Sequence, residues 1–217
     1  MKKLLAEAMG TCALVFCGTG AIALNEVTGW LGGFGIAVVF GAVVYAMIRA
    51  VGSISGAHLN PAVTIGTCIA GRLQWRNALP YVLAQIIGAV VASWLVRALF
   101  PGSVLLGATM PSAGEWPSFG IEVFMSFLLM AVILAMSSAP SRIAVYAALA
   151  IGTTVFLEAW LGGPFTGASM NPARSIGPAL VSGQLDELWI YVLAPTVGMI
   201  TAAALWTSAI RTERTAT

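Results

Sequence analysis

Long apolar stretches alternate with short polar connections along this chain, and charged residues fall almost entirely in those connections. A helix needs about 20 mostly apolar residues to cross the hydrocarbon core of a bilayer. Six segments have that length and character, at residues 4–24, 33–51, 79–99, 119–138, 143–162 and 187–208. The pattern predicts an all-α membrane protein with six transmembrane helices.

Two further apolar runs, at residues 61–70 and 172–181, are too short to cross a bilayer. Ten helical residues rise about 15 Å, roughly half of the hydrocarbon thickness. Each run follows an Asn-Pro-Ala triplet, at Asn60-Pro61-Ala62 and at Asn171-Pro172-Ala173. Non-helical backbone at membrane depth is tolerated only where protein buries it or where it lines a watery cavity. We therefore predict two re-entrant half-helices that enter from opposite sides and together make one span.

The two triplets are separated by close to half of the chain, as expected of a duplicated unit. Glu7 and Glu122 each precede the triplet of their own half by a similar number of residues. Because three spans per half is an odd number, the second half would be inverted relative to the first. We predict a single channel domain over residues 1–217, with repeats at 1–101 and 115–217 and an extracellular linker between them.

Composition excludes a soluble core, because the chain is 59% hydrophobic and only 8% charged, whereas soluble domains carry about 25% charged residues. A net charge of +2 gives no reason to expect nucleic acid as a partner. The three cysteines show no metal-ligand spacing, so we interpret them as small buried hydrophobic residues and expect no metal or cofactor. They are Cys12, Cys17 and Cys68.

Basic residues collect at one set of helix ends, which the positive-inside rule assigns to the cytoplasm. These residues are Lys2, Lys3, Arg49, Arg72, Arg76, Arg142, Arg211 and Arg214. The opposite ends carry Arg97 and four acidic residues. We therefore predict a multi-pass protein of a plasma membrane, or bacterial inner membrane, with both termini in the cytoplasm.

Asn-Pro-Ala suits the start of a helix inside a pore. Pro at the first position sacrifices no hydrogen bond, and the Asn side-chain oxygen caps the first turn, which leaves its amide NH₂ free as a donor. Two helix N-termini meeting in mid-membrane each carry about half a positive charge. Cations and protons would meet a barrier there, whereas water and neutral hydroxylated solutes would not.

The extended motifs SGAHLNPAVT and GASMNPARSIGPAL make the chain resemble the aquaporin or major intrinsic protein family over about residues 3–208. The resemblance implies an aquaporin-like bundle of six helices and two half-helices, and a homotetramer in the lipid bilayer with one pore per subunit. It implies a passive channel rather than an enzyme, with no catalytic residues.

By position relative to the motifs, the resemblance places the selectivity filter at Phe40, Ala159, Ala168 and Arg174. Water-selective members carry His where this chain has Ala159, and the single histidine of the chain, His58, belongs to the first motif. With Ala159 in place of that His, the selectivity filter would be wider. It would then admit glycerol, and also urea or neutral metalloid acids such as arsenous or boric acid.

Other positions favour the alternative of a strict water channel. Ser175 and Ala179 match water channels, and Tyr191-Val192 matches neither water channels nor glycerol facilitators. The run from Gly163 to Met170 is similar to the same region of the plant nodulin-like intrinsic proteins and their bacterial relatives. We favour this subgroup as the one that the chain resembles.

The resemblance also implies that Glu7 and Glu122 brace the loops before the two half-helices. We expect backbone carbonyls of those loops to line the path, at Gly56, Ala57, His58, Gly167 and Ser169. Glu158 has no equivalent in the first half and no evident role.

Two other classes of function also fit parts of the pattern. Secondary transporters use inverted repeats and broken helices, but this chain would place amide donors, not cation ligands, at mid-membrane. An intramembrane enzyme would need a nucleophile–base pair or a metal set, which the sequence does not supply.

Overall fold

The structure, a computed structural model, describes residues 1–215, with side chains described as far as Ala209. Residues 216–217 of the predicted domain, and the side chains of Arg211 and Arg214, therefore lie outside the described residues.

Nine α-helices make up most of the described chain, and six of them are long and apolar enough to cross a membrane, as the sequence predicts. The helices are α1 (Lys2–Thr28), α2 (Gly32–Ser55), α3 (Pro61–Ile69), α4 (Ala78–Leu99), α5 (Glu115–Ser138), α6 (Ser141–Ala144), α7 (Ala147–Thr166), α8 (Pro172–Ser182) and α9 (Leu188–Thr215). A 3₁₀ turn at Trp75–Asn77 leads into α4.

The half-helices α3 and α8 start at the prolines of the two triplets, as predicted. Each packs mainly against the last long helix of the other half, because α3 lies against α9 and α8 lies against α4. Around them, α1 packs on α2 and α4, and α5 packs in the same way on α7 and α9. The two halves are thus interlocked.

Glycine sets how closely the long helices approach. A Cβ atom at Gly88 of α4 would lie 2.2 Å from the carbonyl oxygen of Ala8, and one at Gly198 of α9 would lie 2.2 Å from that of Val123. Small residues of this kind let helix backbones pack closely in membranes, where burial of apolar surface does not drive association. The two matched glycines therefore make the same kind of close contact between helices in each half.

The linker before α5 does more than join the two halves on the outside. Glu26 at the end of α1 accepts hydrogen bonds from the Ser103 hydroxyl at 2.5 Å and from the Val104 amide at 3.0 Å. Leu106 is fully buried. The linker therefore folds back into the protein, a contact that nothing in its sequence predicts.

We predict that Gly88→Ala destabilises the fold by about 1–3 kcal/mol, since the added methyl group would overlap backbone atoms that cannot move aside. Thermal unfolding of the purified protein in detergent measures the effect. Gly120→Ala is the matched control, because no atom lies within 4 Å of a Cβ atom built there. Equal melting temperatures for the two variants would contradict this account of helix spacing.

Candidate functional site

The N-termini of α3 and α8 meet inside the bundle, and each is capped by the asparagine of its triplet. The Asn60 side-chain oxygen accepts from the amides of Ala62 at 2.9 Å and Val63 at 3.4 Å. The Asn171 oxygen accepts from the amides of Ala173 at 3.0 Å and Arg174 at 3.4 Å. Both asparagines are thus N-caps, as expected.

The two caps also join the halves to each other. Asn60 Nδ2 donates to the carbonyl oxygen of Met170 at 2.7 Å, and Asn171 Nδ2 donates to that of Leu59 at 2.9 Å. The expectation that both amide groups are wholly free is therefore wrong, because one N–H of each is used in this exchange. Since an NH₂ group has two hydrogens, one donor per asparagine remains for a passing molecule.

The segments before the two triplets hold backbone conformations that side chains rarely adopt. Ala57 and Leu59 have φ angles of 49° and 53°, and the matching Ala168 and Met170 have 44° and 50°. A non-glycine residue in this region costs on the order of 1–3 kcal/mol and persists only where its surroundings impose it. Something must therefore hold both segments in place.

Glu7 and Glu122 accept hydrogen bonds from these two segments. Glu7 accepts from the amides of His58 at 3.0 Å and Leu59 at 2.7 Å, and from the Ser55 hydroxyl at 2.6 Å. Both carboxyl groups are fully buried.

Glu122 makes the corresponding bonds in the second half. It accepts from the amides of Ser169 and Met170, each at 2.8 Å, and from the Thr166 hydroxyl at 2.8 Å. Hydrogen bonds of this kind stabilise by roughly 0.5–1.5 kcal/mol each, so each carboxyl group can offset the strain of its segment.

We call the Glu7 carboxyl group with its donors Ser55, His58 and Leu59 the first clamp, and the Glu122 carboxyl group with its donors Thr166, Ser169 and Met170 the second clamp. The first clamp has one further side-chain donor that the second clamp lacks. Gln85 of α4 donates to Glu7 at 2.8 Å and to the Thr64 hydroxyl at 3.0 Å. In the second half, the linker residue Thr109 reaches Ser175 at 3.0 Å. Neither Gln85 nor Thr109 was singled out from the sequence, because nothing local marks either residue as a neighbour of a triplet.

A cavity of about 370 Å³ runs from the predicted cytoplasmic end of the bundle to the second triplet. Its wall includes Lys3 and Arg72 at one end and both triplet asparagines in the middle. Four of the five residues expected to offer carbonyls contribute to it, namely Gly56, Ala57, His58 and Ser169. Gly167, which caps the end of α7 with a φ of 77°, does not contribute to the wall.

Three of the four expected filter residues lie together at the far end of this cavity: Phe40, Ala168 and Arg174. The Arg174 guanidinium carbon stands 5.3 Å from the centre of the Phe40 ring. Its Nη1 donates to the carbonyl oxygen of Gly107 in the linker at 2.7 Å. Ala159 is half-buried on α7 and packs against the core beside the cavity rather than lining its wall.

His58 is held at the edge of the cavity. Its Nδ1 lies 3.2 Å from the Thr64 hydroxyl, and its ring lies 5.3 Å from that of Tyr81. Glu158 is buried on α7, and both of its carboxyl oxygens lack a hydrogen-bond partner.

We predict that Glu122→Gln lowers the free energy of unfolding by about 1–3 kcal/mol, because an amide nitrogen would face backbone donors where a carboxylate oxygen now accepts. Thermal unfolding in detergent measures the change. Glu115→Gln, at the exposed start of α5, makes the same chemical change away from both loops and should melt like the parent protein. A clamp variant that also melts like the parent would show that Glu122 does not hold its loop.

Comparison with known proteins agrees with this geometry. The chain is 44% identical to Aquaporin NIP1-1 of Zea mays over 94% of this chain and 73% of that protein. It is 42% identical to Nodulin-26 of Glycine max, covering 94% of this chain and 76% of that protein.

Among solved structures, the aquaglyceroporin from Plasmodium falciparum superimposes with a TM-score of 0.87 at 25% sequence identity, and 96% of each chain is covered. The sequence pattern that defines the family described as Major intrinsic protein matches residues 1–206. The resemblance in the motifs is thereby confirmed, and the chain belongs to the major intrinsic protein family.

Proposed function

We propose that this chain is a passive channel for water and small uncharged solutes, with glycerol as the first candidate, and that it is not an enzyme. The observation that carries the proposal is the meeting of two asparagine-capped helix N-termini on the wall of one cavity. Relatives named as aquaporins and a structural neighbour named as an aquaglyceroporin support the same function.

Charge explains why such a path would select neutral molecules. The two helix N-termini contribute positive partial charge at the centre of the path, and the Arg174 guanidinium adds a full charge at its end. A cation or proton must pass both, whereas a neutral solute can exchange hydrogen bonds with the same donors.

A coupled secondary transporter fits the site less well. Such a protein needs acceptor groups arranged around a cation near mid-membrane. The carboxyl groups next to the triplets, Glu7 and Glu122, already accept three or more hydrogen bonds each from their own loops and neighbours. The free groups at the centre are amide donors.

The small filter residues favour a solute larger than water. Ala168 lines the same cavity as Phe40 and Arg174, and Ala159 adds only a methyl group on the neighbouring helix. We propose Phe40, Ala159, Ala168 and Arg174 as the filter, with Ala159 acting from beside the wall. Urea, arsenous acid and boric acid belong to the same class of small neutral solutes as glycerol.

The residues that argued for a strict water channel lie behind the path. Ser175 is fully buried and bonds the Ser169 hydroxyl at 2.6 Å and that of Thr109. Ala179 is buried on α8. Neither residue contributes to the cavity wall, so we infer that Ser175 and Ala179 affect helix packing and do not set the size of the solute.

Assembly and orientation are further parts of the proposal. We propose a homotetramer, following the family resemblance, with one path in each subunit. The termini face the cytoplasm, since Lys3 and Arg72 lie together at one mouth of the cavity and basic ends remain inside. The relatives named above come from plants and from Plasmodium falciparum, and give no particular support to a bacterial membrane.

Stopped-flow light scattering on proteoliposomes tests the function. A sucrose gradient should shrink the vesicles faster than empty liposomes, and a glycerol gradient should then re-swell them quickly. Fast shrinkage with re-swelling no faster than that of empty liposomes would contradict glycerol permeation. The alternative of a strict water channel would then stand.

We predict that Ala159→His slows the glycerol phase by roughly tenfold or more, because the ring would narrow the filter by more than one methylene group. The sucrose-driven water phase, recorded on the same vesicles, controls for folded and inserted protein. An unchanged glycerol phase in a variant that still conducts water would remove Ala159 from the filter.

Mercurial reagents offer a separate test of the wall. None of the three cysteines contributes to the cavity wall, and Cys68 is buried on α3. Water flux through the parent protein should therefore resist a membrane-impermeant mercurial, whereas Ala168→Cys should become sensitive and recover with excess thiol. Ala168→Ser, of similar size but without a thiol, is the control. A resistant Ala168→Cys channel would show that this position does not face the path.

A further inference from the structure

The ring of His58, on the cavity wall, bonds to the protein through one nitrogen and leaves the other free. Nδ1 lies 3.2 Å from the Thr64 hydroxyl, whereas Nε2 forms no hydrogen bond to the described residues. The Nε2 edge lies beside Gly56, another wall residue, where a Cβ atom would stand 3.3 Å from it. A neutral imidazole donates at one nitrogen and accepts at the other, so the character of Nε2 depends on the proton at Nδ1.

The Thr64 hydroxyl settles where that proton is, because it meets three partners at once. It accepts from Gln85 Nε2 at 3.0 Å and donates to the Asn60 carbonyl oxygen at 3.0 Å. A hydroxyl group has one hydrogen and two lone pairs. If its hydrogen pointed at His58 instead, two bare oxygens would face each other at 3.0 Å. The lone pair that remains must therefore accept from His58 Nδ1, which carries the proton.

The first clamp fixes Gln85 in turn. Gln85 Nε2 donates to Glu7 Oε2 at 2.8 Å as well as to Thr64. Turning the amide over would set its oxygen against the carboxylate oxygen of Glu7, which can only accept. Gln85, Glu7 and Thr64 are all fully buried. These bonds are therefore shielded from solvent, and the orientation of each group follows from the one before it.

The second half repeats the contact without an imidazole. Ser169 and Ser175 hold the positions of His58 and Thr64 relative to their own asparagine, and their hydroxyls lie 2.6 Å apart. Ser169 is likewise a wall residue. The contact is thus common to both repeats, but in the first half it is made by a ring whose second nitrogen remains available.

We propose that Gln85 and Thr64 position His58 as a hydrogen-bond acceptor for the solute, on the predicted cytoplasmic side of the triplets. They hold the proton of the neutral ring on Nδ1, and Nε2 keeps its lone pair, since the bond made by one ring nitrogen sets the state of the other. The triplet asparagines offer N–H donors farther along the same cavity. A hydroxylated solute can then give its O–H group to His58 and its oxygen lone pairs to the asparagines.

The inference rests on the proposed function, because it concerns how the same cavity binds a neutral solute. Glycerol has three hydroxyl groups and gives up more hydrogen bonds to bulk water than a water molecule does on entering a narrow path. Each bond that the path does not replace raises the barrier. Loss of the His58 acceptor should therefore slow glycerol more than water, and the ratio of the two permeabilities is the quantity to measure.

The chain has a single histidine, so the tautomer can be determined directly. Protein labelled with ¹⁵N-histidine, and purified through a tag that contains no histidine, gives the signals of one imidazole by solid-state NMR in proteoliposomes. At about pH 8, where an ordinary imidazole is neutral, we expect the proton on Nδ1 and a lone pair on Nε2. The opposite tautomer as the main form would overturn the proposal without any variant.

Thr64→Val tests the positioning role, because it keeps the size of the side chain and removes the hydroxyl. Thr64 does not contribute to the cavity wall. We expect the Nε2–H tautomer to appear and the ratio of glycerol to water permeability to fall by about twofold, the lower end of one hydrogen bond. Thr64→Ser restores the hydroxyl and should behave like the parent protein. Thr154→Val, which removes a hydroxyl bonded to the Ala150 carbonyl away from the wall, is the matched control.

The same change in a His58→Leu background separates positioning from packing. There Thr64→Val should leave the ratio unchanged, because no imidazole remains to be held. The sucrose-driven water phase on the same vesicles controls for inserted protein. An equal fall of the ratio in both backgrounds would show that Thr64 acts on packing alone, and would overturn the proposal.

The outcomes also separate this inference from the proposed function. If the parent protein passes no glycerol, the proposed function fails, and the role of His58 toward glycerol fails with it. If glycerol passes but Nε2 carries the proton, or if Thr64→Val alters neither the tautomer nor the ratio, the inference alone is overturned.

Discussion

The structure depends on a buried carboxyl group holding a strained loop in each half. Glu7 and Glu122 accept the amides of the two residues before each triplet, where the backbone adopts φ angles near 50° without glycine. A helix can begin in mid-membrane only if the chain that leads to it has its polar backbone groups satisfied. The two carboxyl groups satisfy backbone amides of these loops. Carbonyl groups of the same loops remain free to face the cavity.

The inverted repeat turns two such loops into one path. Each asparagine caps its own half-helix and donates to the carbonyl just before the other asparagine, so neither half-helix is placed without its partner. This mutual placement brings both helix N-termini and the remaining amide donors to the same point. The linker adds a third element from outside the repeat, because its Gly107 carbonyl holds Arg174 at the end of the path.

Much of this could be predicted from the sequence, because the signals are local and repeated. Apolar segment length gives the six spans, and Asn followed by Pro gives the starts of α3 and α8. The left-handed backbone at Leu59 and Met170 could not be predicted, since these residue types carry no such preference. The contacts of Gln85 and Gly107 could not be predicted from the sequence either. They join residues far apart in the chain and depend on how whole helices and the linker pack.

Paired helix ends and Arg174 should let neutral solutes pass and stop charge, so glycerol and protons should behave differently in the same vesicles. Glycerol flux and proton flux are measured on the same proteoliposomes, with a pH-sensitive dye inside and valinomycin and potassium present to prevent a limiting membrane potential. We expect glycerol flux well above that of empty liposomes, with proton flux no higher than theirs. Proton flux that rises together with glycerol flux would show that the path does not stop charge.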